Sequence, residues 1–95
     1  MDDFGLKENV IDFIVKQARD LQMDSVILFG SRANGTYANK SDIDLAIRGQ
    51  RYHDFVEVID ECCPTLLSFD FINLSANISD ELRRRIDDEG VTLYG

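Results

Sequence analysis

An α+β fold, a small mixed β-sheet flanked by helices, follows from three observations on this chain. Its 95 residues suffice for one domain, spanning residues 1–95. Amphipathic helical stripes alternate with short apolar segments at strand spacing. Turn-forming residues separate them, giving the order α-β-(α)-β-α-β-α-β.

The elements follow in turn. Leu6, Val10, Ile14, Ala18 and Leu21 recur at helical spacing, with Ile11 and Val15 widening the stripe. Ser25 to Phe29 is an apolar strand ended by Gly30, and Gly30 to Gly35 reads as a turn entering a short helix. Asp42 to Ile47 alternates acidic or small residues with Ile43, Leu45 and Ile47, a strand pattern. Tyr52, Phe55, Val56, Ile59 and Cys62 mark a second amphipathic helix, which Pro64 prevents from continuing. Leu66 to Leu74 is the expected third strand. Ser79 is placed as an N-cap before Asp80 and Glu81, and Gly90 as the C-cap of that helix. Val91 to Tyr94 adds a short final strand.

Composition narrows the function. The chain is globular, with 44% hydrophobic and 29% charged residues. Its net charge of −8 opposes binding to long nucleic acid, and the largest basic run, Arg83-Arg84-Arg85, reads as a solvated helix face. The longest apolar runs fall well short of the roughly 20 residues of a membrane helix. The Met1-Asp2-Asp3 start lacks the features of a signal peptide, so a cytoplasmic protein is expected. Cys62 and Cys63 are adjacent, fit neither a mutual bridge nor a zinc site, and are expected as buried or half-buried thiols. His53, the one histidine, is expected at a surface or an interface.

The chemistry-bearing residues are Gly30-Ser31, the pair Asp42/Asp44, and Asp70. Residues two apart on a strand face the same way, so Asp42 and Asp44 share a face while Ile43 and Leu45 enter the core. Asp70 stands in an apolar strand, where an ionised carboxylate is costly unless paired or bound to metal. If that strand lies beside the second, three carboxylates meet, and a divalent cation relieves their repulsion. Magnesium prefers such oxygen ligands, and a pair of ions clamps an in-line phosphoryl displacement. Gly30 and Ser31 suit phosphate oxygens at a helix start. Arg32 and Lys40 add positive charge there, and Ser41 a hydroxyl.

Taken singly, each feature has a plainer reading. Alternating aspartates often line a solvated strand face, Gly-Ser is often a simple turn, and the Tyr52, Phe55, Ile59 stripe is core rather than a base-stacking platform. The Gly30 to Gly35 spacing imitates a Walker A loop, but Thr36 and Tyr37 replace its Lys and Ser/Thr. Asp42-Ile43-Asp44 does not continue as a calcium loop, because Ala46 and Ile47 fall at the next ligand and the turn glycine.

The segment Gly30-Ser31-Arg32-Ala33-Asn34-Gly35 through Ser41-Asp42-Ile43-Asp44-Leu45 resembles the signature of the DNA polymerase β-like nucleotidyltransferase superfamily. At this length it is most similar to the minimal nucleotidyltransferase (MNT) group. Asp70 falls where the third carboxylate is placed, and the ending Glu89-Gly90-Val91-Thr92-Leu93-Tyr94 is similar too. The resemblance implies transfer of AMP from ATP to an acceptor hydroxyl. Asp42 and Asp44 would hold two magnesium ions, and Asp70 would complete the metal site and help deprotonate the acceptor. Gly30 and Ser31 would hold the β- and γ-phosphates. Members often carry arginine where this chain has Asn34, which removes one cation from the triphosphate side. The resemblance further implies a HEPN-domain toxin as partner, with this chain as the antitoxin modifying a tyrosine. Two other readings stand beside it: a nucleotide-binding module that neutralises its partner by contact alone, and a transferase acting on a small cationic acceptor such as an aminoglycoside.

Overall fold

The computed structural model describes residues 4–95; the Met1-Asp2-Asp3 start lies outside them. The elements are α1 (Glu8–Asp20), β1 (Ser25–Phe29), α2 (Ser31–Asn34), β2 (Ile43–Arg48), α3 (Tyr52–Cys62), β3 (Phe69–Asn73), α4 (Asp80–Glu89) and β4 (Val91–Tyr94). The strands form one mixed sheet in the order β3-β2-β1-β4. β1 runs antiparallel to both β2 and β4, whereas β2 and β3 are parallel. A parallel pair cannot be joined by a tight turn, and α3 is the crossover that joins this one.

Alternation along the strands gives the sheet two covered faces. Val26, Leu28, Ile43, Leu45 and Ile47 pack with Ile14 and Val10 of α1 and with Phe55 and Ile59 of α3. Phe55 and Ile59 are wholly buried, so this stripe is core, as its spacing predicts. The opposite face carries a smaller cluster: Phe29, Ala46, Leu74 and, from α4, Ile86. The acidic residues of β2 and β3 belong to this second face, which α4 covers in part.

Local chemistry explains most boundaries. Ser79 caps α4, its hydroxyl accepting from the Leu82 N–H at 3.1 Å. Cys63, preceding Pro64, is extended at φ −62°, ψ 134°, as a residue before proline should be, and α3 stops there. Gly90 ends α4 in an extended conformation rather than a left-handed one. Glycine is needed there for closeness, because a Cβ would run into the Ile86 carbonyl oxygen and would also meet Ile27 Cγ2 at 2.6 Å.

Two expectations need correction. The third strand begins at Phe69, not Leu66: the Leu67 N–H donates to the Thr65 hydroxyl at 3.1 Å, and Leu66 is fully exposed in the resulting turn. Cys62 is exposed; only Cys63 is half-buried, where burial pushes its thiol up to about 11. His53 is exposed, as expected. Among the described residues no helix is long and apolar enough to cross a membrane.

Candidate active site

β2 and β3 bring the acidic residues together through register. Asp70 is the partner of Asp44 across the parallel pair, and Phe29 is its partner across the antiparallel one. Strands so paired lie about 4.8 Å apart, so the Asp44 and Asp70 side chains are neighbours on one face. Asp42 immediately precedes β2. Burial raises the Asp44 carboxyl above its ordinary value; Asp70 raises it further, Arg85 opposes the rise, and Asp42 adds to it. The Asp44 charge therefore feels both other carboxylates.

Desolvation is distributed differently from the sequence expectation. Asp70 is exposed, because β3 is an edge strand, and Asp42 is exposed too. Asp44 is the half-buried member, so the cost of an ionised carboxylate falls there. Tyr52, half-buried at the start of α3, has its hydroxyl raised by burial first and by Asp70 second.

Gly30 supplies the other wall. Its backbone stands at φ 76°, ψ −154°, a region nearly reserved for glycine. A Cβ there would run into the Asp44 carboxylate, with Asp44 Cγ only 3.1 Å away. The β1–α2 turn thus packs its bare backbone against the central carboxylate. Gly30→Ala is expected to destabilise the domain by about 2–3 kcal/mol, from backbone strain plus collision, and to displace Asp44. Gly35→Ala meets open space at φ 87° and is expected to cost only about 1 kcal/mol. Paired urea melts of the two variants check this contrast; equal losses would dismiss the Asp44 contact.

Ser31 opens α2 beside Gly30 and is half-buried. Arg32 does something other than the expected phosphate contact. It is 1% exposed. Its Nε and Nη2 donate to the Ser41 carbonyl at 3.1 and 2.9 Å, Nη2 also to Asn39 O at 3.3 Å, and Nη1 to Phe4 O and Gly5 O at 3.0 and 3.3 Å. The guanidinium also lies 5.1 Å from the Tyr37 ring centroid. Arg32 is a pin that ties the loop before β2 to α2 and to the N-terminal segment, and its donors are committed. Ser41 takes part in the same loop, its hydroxyl accepting from the Ala38 N–H at 2.8 Å. Asn34 folds its own turn, accepting from the Thr36 N–H at 3.0 Å and the Thr36 hydroxyl at 2.6 Å. Lys40 is exposed on the loop.

One residue at the site escaped the sequence reading. Arg85 of α4 stands close enough for its charge to act on Asp44, although the arginine run it belongs to reads as a solvated face. Only the tertiary packing of α4 over this face brings it there. Among the described residues no three acidic, histidine or cysteine side chains are grouped so that they could hold a metal ion.

The chain is similar to known proteins. The polymerase β nucleotidyltransferase family profile matches residues 8–95. A Methanocaldococcus jannaschii protein, named as a candidate protein adenylyltransferase, is 37% identical over 82 residues, covering 77% of this chain and 80% of that one. A chain from the crystal structure of a toxin–antitoxin with AMP-PNP superposes at a TM-score of 0.66 with 25% identity, covering 90% of this chain and 73% of that one. A chain from a variant of the toxin–antitoxin MntA-HpeT shares the fold at a TM-score of 0.69 and 24% identity, covering 95% and 73%. A profile that runs from α1 to the last strand, over a site with its aspartates in register, leaves one assignment: this chain belongs to the polymerase β family of nucleotidyltransferases and is a nucleotidyltransferase.

Proposed function

We propose that the chain transfers AMP from ATP to an acceptor hydroxyl, a tyrosine of a HEPN-type toxin, and thereby serves in the cytoplasm as the antitoxin of a two-component module. The observation that carries this reading is the alignment of Asp70 with Asp44 across β2 and β3, with the bare backbone of Gly30 against Asp44. The toxin–antitoxin complexes of like fold and the adenylyltransferase name of the archaeal relative support it.

The donor set suits magnesium. It is made of carboxylate oxygens, and a magnesium ion takes one or two of them and completes its shell with phosphate oxygens and water, so an all-protein cage is not required. Asp42 and Asp44 would hold two such ions, with Asp70 on the acceptor side. When bound, the ions would neutralise charge on the reacting phosphoryl group. Gly30 and Ser31 hold the β- and γ-phosphates and align the chain of phosphorus atoms. Asp70, exposed and therefore reachable by a second protein, accepts the proton of the acceptor hydroxyl. The acceptor oxygen then bonds to the α-phosphorus, the bond to the α–β bridging oxygen breaks, and pyrophosphate leaves.

Incubation with ATP labelled at the α-phosphate, magnesium and the co-purified partner is expected to label the partner on tyrosine. Magnesium with ATP is also expected to raise the melting temperature, since ligand at about 100 times its Kd adds about 2.7 kcal/mol. Absence of both effects would remove the catalytic reading. Neutralisation of the partner by a carboxylate variant that labels nothing would instead make the chain a contact-only module. Labelling of an aminoglycoside but not of the protein would move the acceptor to a small molecule.

A further inference from the structure

Asp70, which faces the acceptor in the proposed transfer, stands on a strand with one open edge. β3 ends the sheet beside β2, and its outer side pairs with no described strand. The Ile43 N–H donates to the Ser68 carbonyl at 2.9 Å, and the Leu74 N–H to the Ile47 carbonyl at 2.8 Å, so the backbone at Ser68 and Leu74 turns inward to β2. Backbone groups along a paired strand alternate in direction, so Asp70 and Ile72 also turn inward, while Phe69, Phe71 and Asn73 turn outward. The Asn73 carbonyl accepts from the Ala76 N–H at 3.1 Å. The edge therefore presents the N–H and C=O of Phe69 and of Phe71, and the Asn73 N–H, to which no described residue bonds. Phe69 and Phe71 directly flank Asp70.

Natural sheet edges are commonly guarded by lysine, proline or a bulge. β3 carries none of these and keeps continuous register with β2. Charge selects the occupant. From Tyr52 to Leu82, through α3, β3 and the start of α4, the chain carries acidic side chains and not one lysine or arginine. A second copy would set one acidic edge against another at a net charge of −8 each, whereas a basic segment is attracted. The residues of an added strand alternate as those of β3 do. A residue beside Asp70 shares its face; the residues before and after it meet Phe69 and Phe71, half-buried on the opposite face with their rings stacked at 5.4 Å. Backbone pairing of this kind gives affinity, and the alternate side chains give specificity. We propose that the β3 edge takes up the acceptor as an added strand: an extended basic segment of the partner protein, carrying a tyrosine between apolar residues, pairs with Phe69 and Phe71 and sets the tyrosine on the Asp70 face, an inference that rests on the nucleotidyl-transfer reading.

The probe is a synthetic peptide, Arg-Lys-Val-Tyr-Val-Lys-Arg, titrated into the full chain without nucleotide and followed by amide NMR. The amides of Phe69, Phe71 and Asn73 are expected to shift most and to gain protection from hydrogen exchange. The same peptide methylated on the backbone nitrogens of its tyrosine and both valines is expected not to bind, a control that needs no change in the chain. Phe71→Pro removes an outward N–H and spares the ladder to β2; it is expected to bind about fivefold more weakly than Phe71→Ala, which loses the same ring but keeps the N–H. With labelled ATP and magnesium the peptide tyrosine is expected to take up label, and Phe71→Pro to raise the KM for peptide but not for ATP. No binding of the peptide, binding of its methylated form, equal affinity in Phe71→Pro and Phe71→Ala, or shifts confined to other elements overturns the added strand. Dimerisation of the free chain through these same amides overturns it in favour of a second copy. Pairing without labelling, in a chain that binds a non-hydrolysable ATP analogue, overturns the acceptor role and leaves the nucleotide site in place. No binding of that analogue overturns the nucleotidyl-transfer reading, and the acceptor role with it.

Discussion

Asp44→Asn is expected to abolish transfer while leaving the metal-free protein more stable than the wild type at neutral pH. The two effects have one cause. Asp44 is half-buried, is raised by burial and by Asp70 and Asp42, and only partly relieved by Arg85. A carboxyl whose folded value is raised contributes stability that is present below its unfolded value and lost as pH rises through the folded one. At neutral pH the ionised Asp44 therefore weakens the fold, and asparagine removes that charge without changing the shape. The melting temperature of the variant should exceed that of the wild type at pH 7, and the gap should close as pH falls toward about 4, the ordinary value of an aspartate in an unfolded chain. Activity should fall at least about a thousandfold, because stabilisation of the phosphoryl transition state by a metal ion is worth several kcal/mol. Asp42→Asn should lose activity similarly without the gain in stability, since Asp42 is exposed. A pH series of melts with and without magnesium, beside the labelling assay, checks both. An Asp44→Asn protein that transfers normally would remove Asp44 from the chemistry.

That prediction could be half written from the sequence. The Asp-x-Asp spacing placed both side chains on one strand face, and the apolar surroundings of Asp70 placed it on another strand. What linear reasoning could not supply was the neighbour relation. Only the parallel pairing of β2 and β3, enforced by the α3 crossover, sets Asp70 opposite Asp44. Nor could it say which carboxylate is desolvated, because that depends on β3 being an edge. The helix and strand cores were legible because periodicity reports burial directly, as with Ile14, Phe55 and Ile43. Their ends were less so: the start of β3 is set by a Thr65 side-chain bond that no hydrophobic pattern records. Arg85 was invisible for the same reason. Helical spacing says which side of α4 is polar, but not which charge on another element that side will meet.

Arg32 shows the limit most plainly, and carries the other large expected effect. Placed after Gly-Ser in the sequence, an arginine reads as a phosphate ligand. In the fold it is buried, and it donates to carbonyls of Phe4, Gly5, Asn39 and Ser41. Those bonds hold the end of the α2–β2 loop directly before Asp42, so the aspartate owes its position to a residue outside the chemistry. Removing Arg32 takes away the bonds it donates to the Ser41 and Asn39 carbonyls and leaves a void beside Tyr37. Arg32→Ala is expected to destabilise the domain by about 3–5 kcal/mol, since hydrogen bonds from a charged donor are worth about 1.5–3 kcal/mol each, and this is a large share of the roughly 5–15 kcal/mol typical of natural domains. Lysine is no substitute: it keeps the charge but offers a point donor instead of a planar fork, and cannot span Ser41 and Phe4 together. Arg32→Lys should therefore also unfold early in urea, recovering less than half of the loss. In both variants activity should decline with the folded population, whatever the concentration of ATP. If Arg32→Ala melted like the wild type and lost only affinity for ATP, the guanidinium would be reaching for phosphate after all, and the hydrogen bonds to the loop would be incidental.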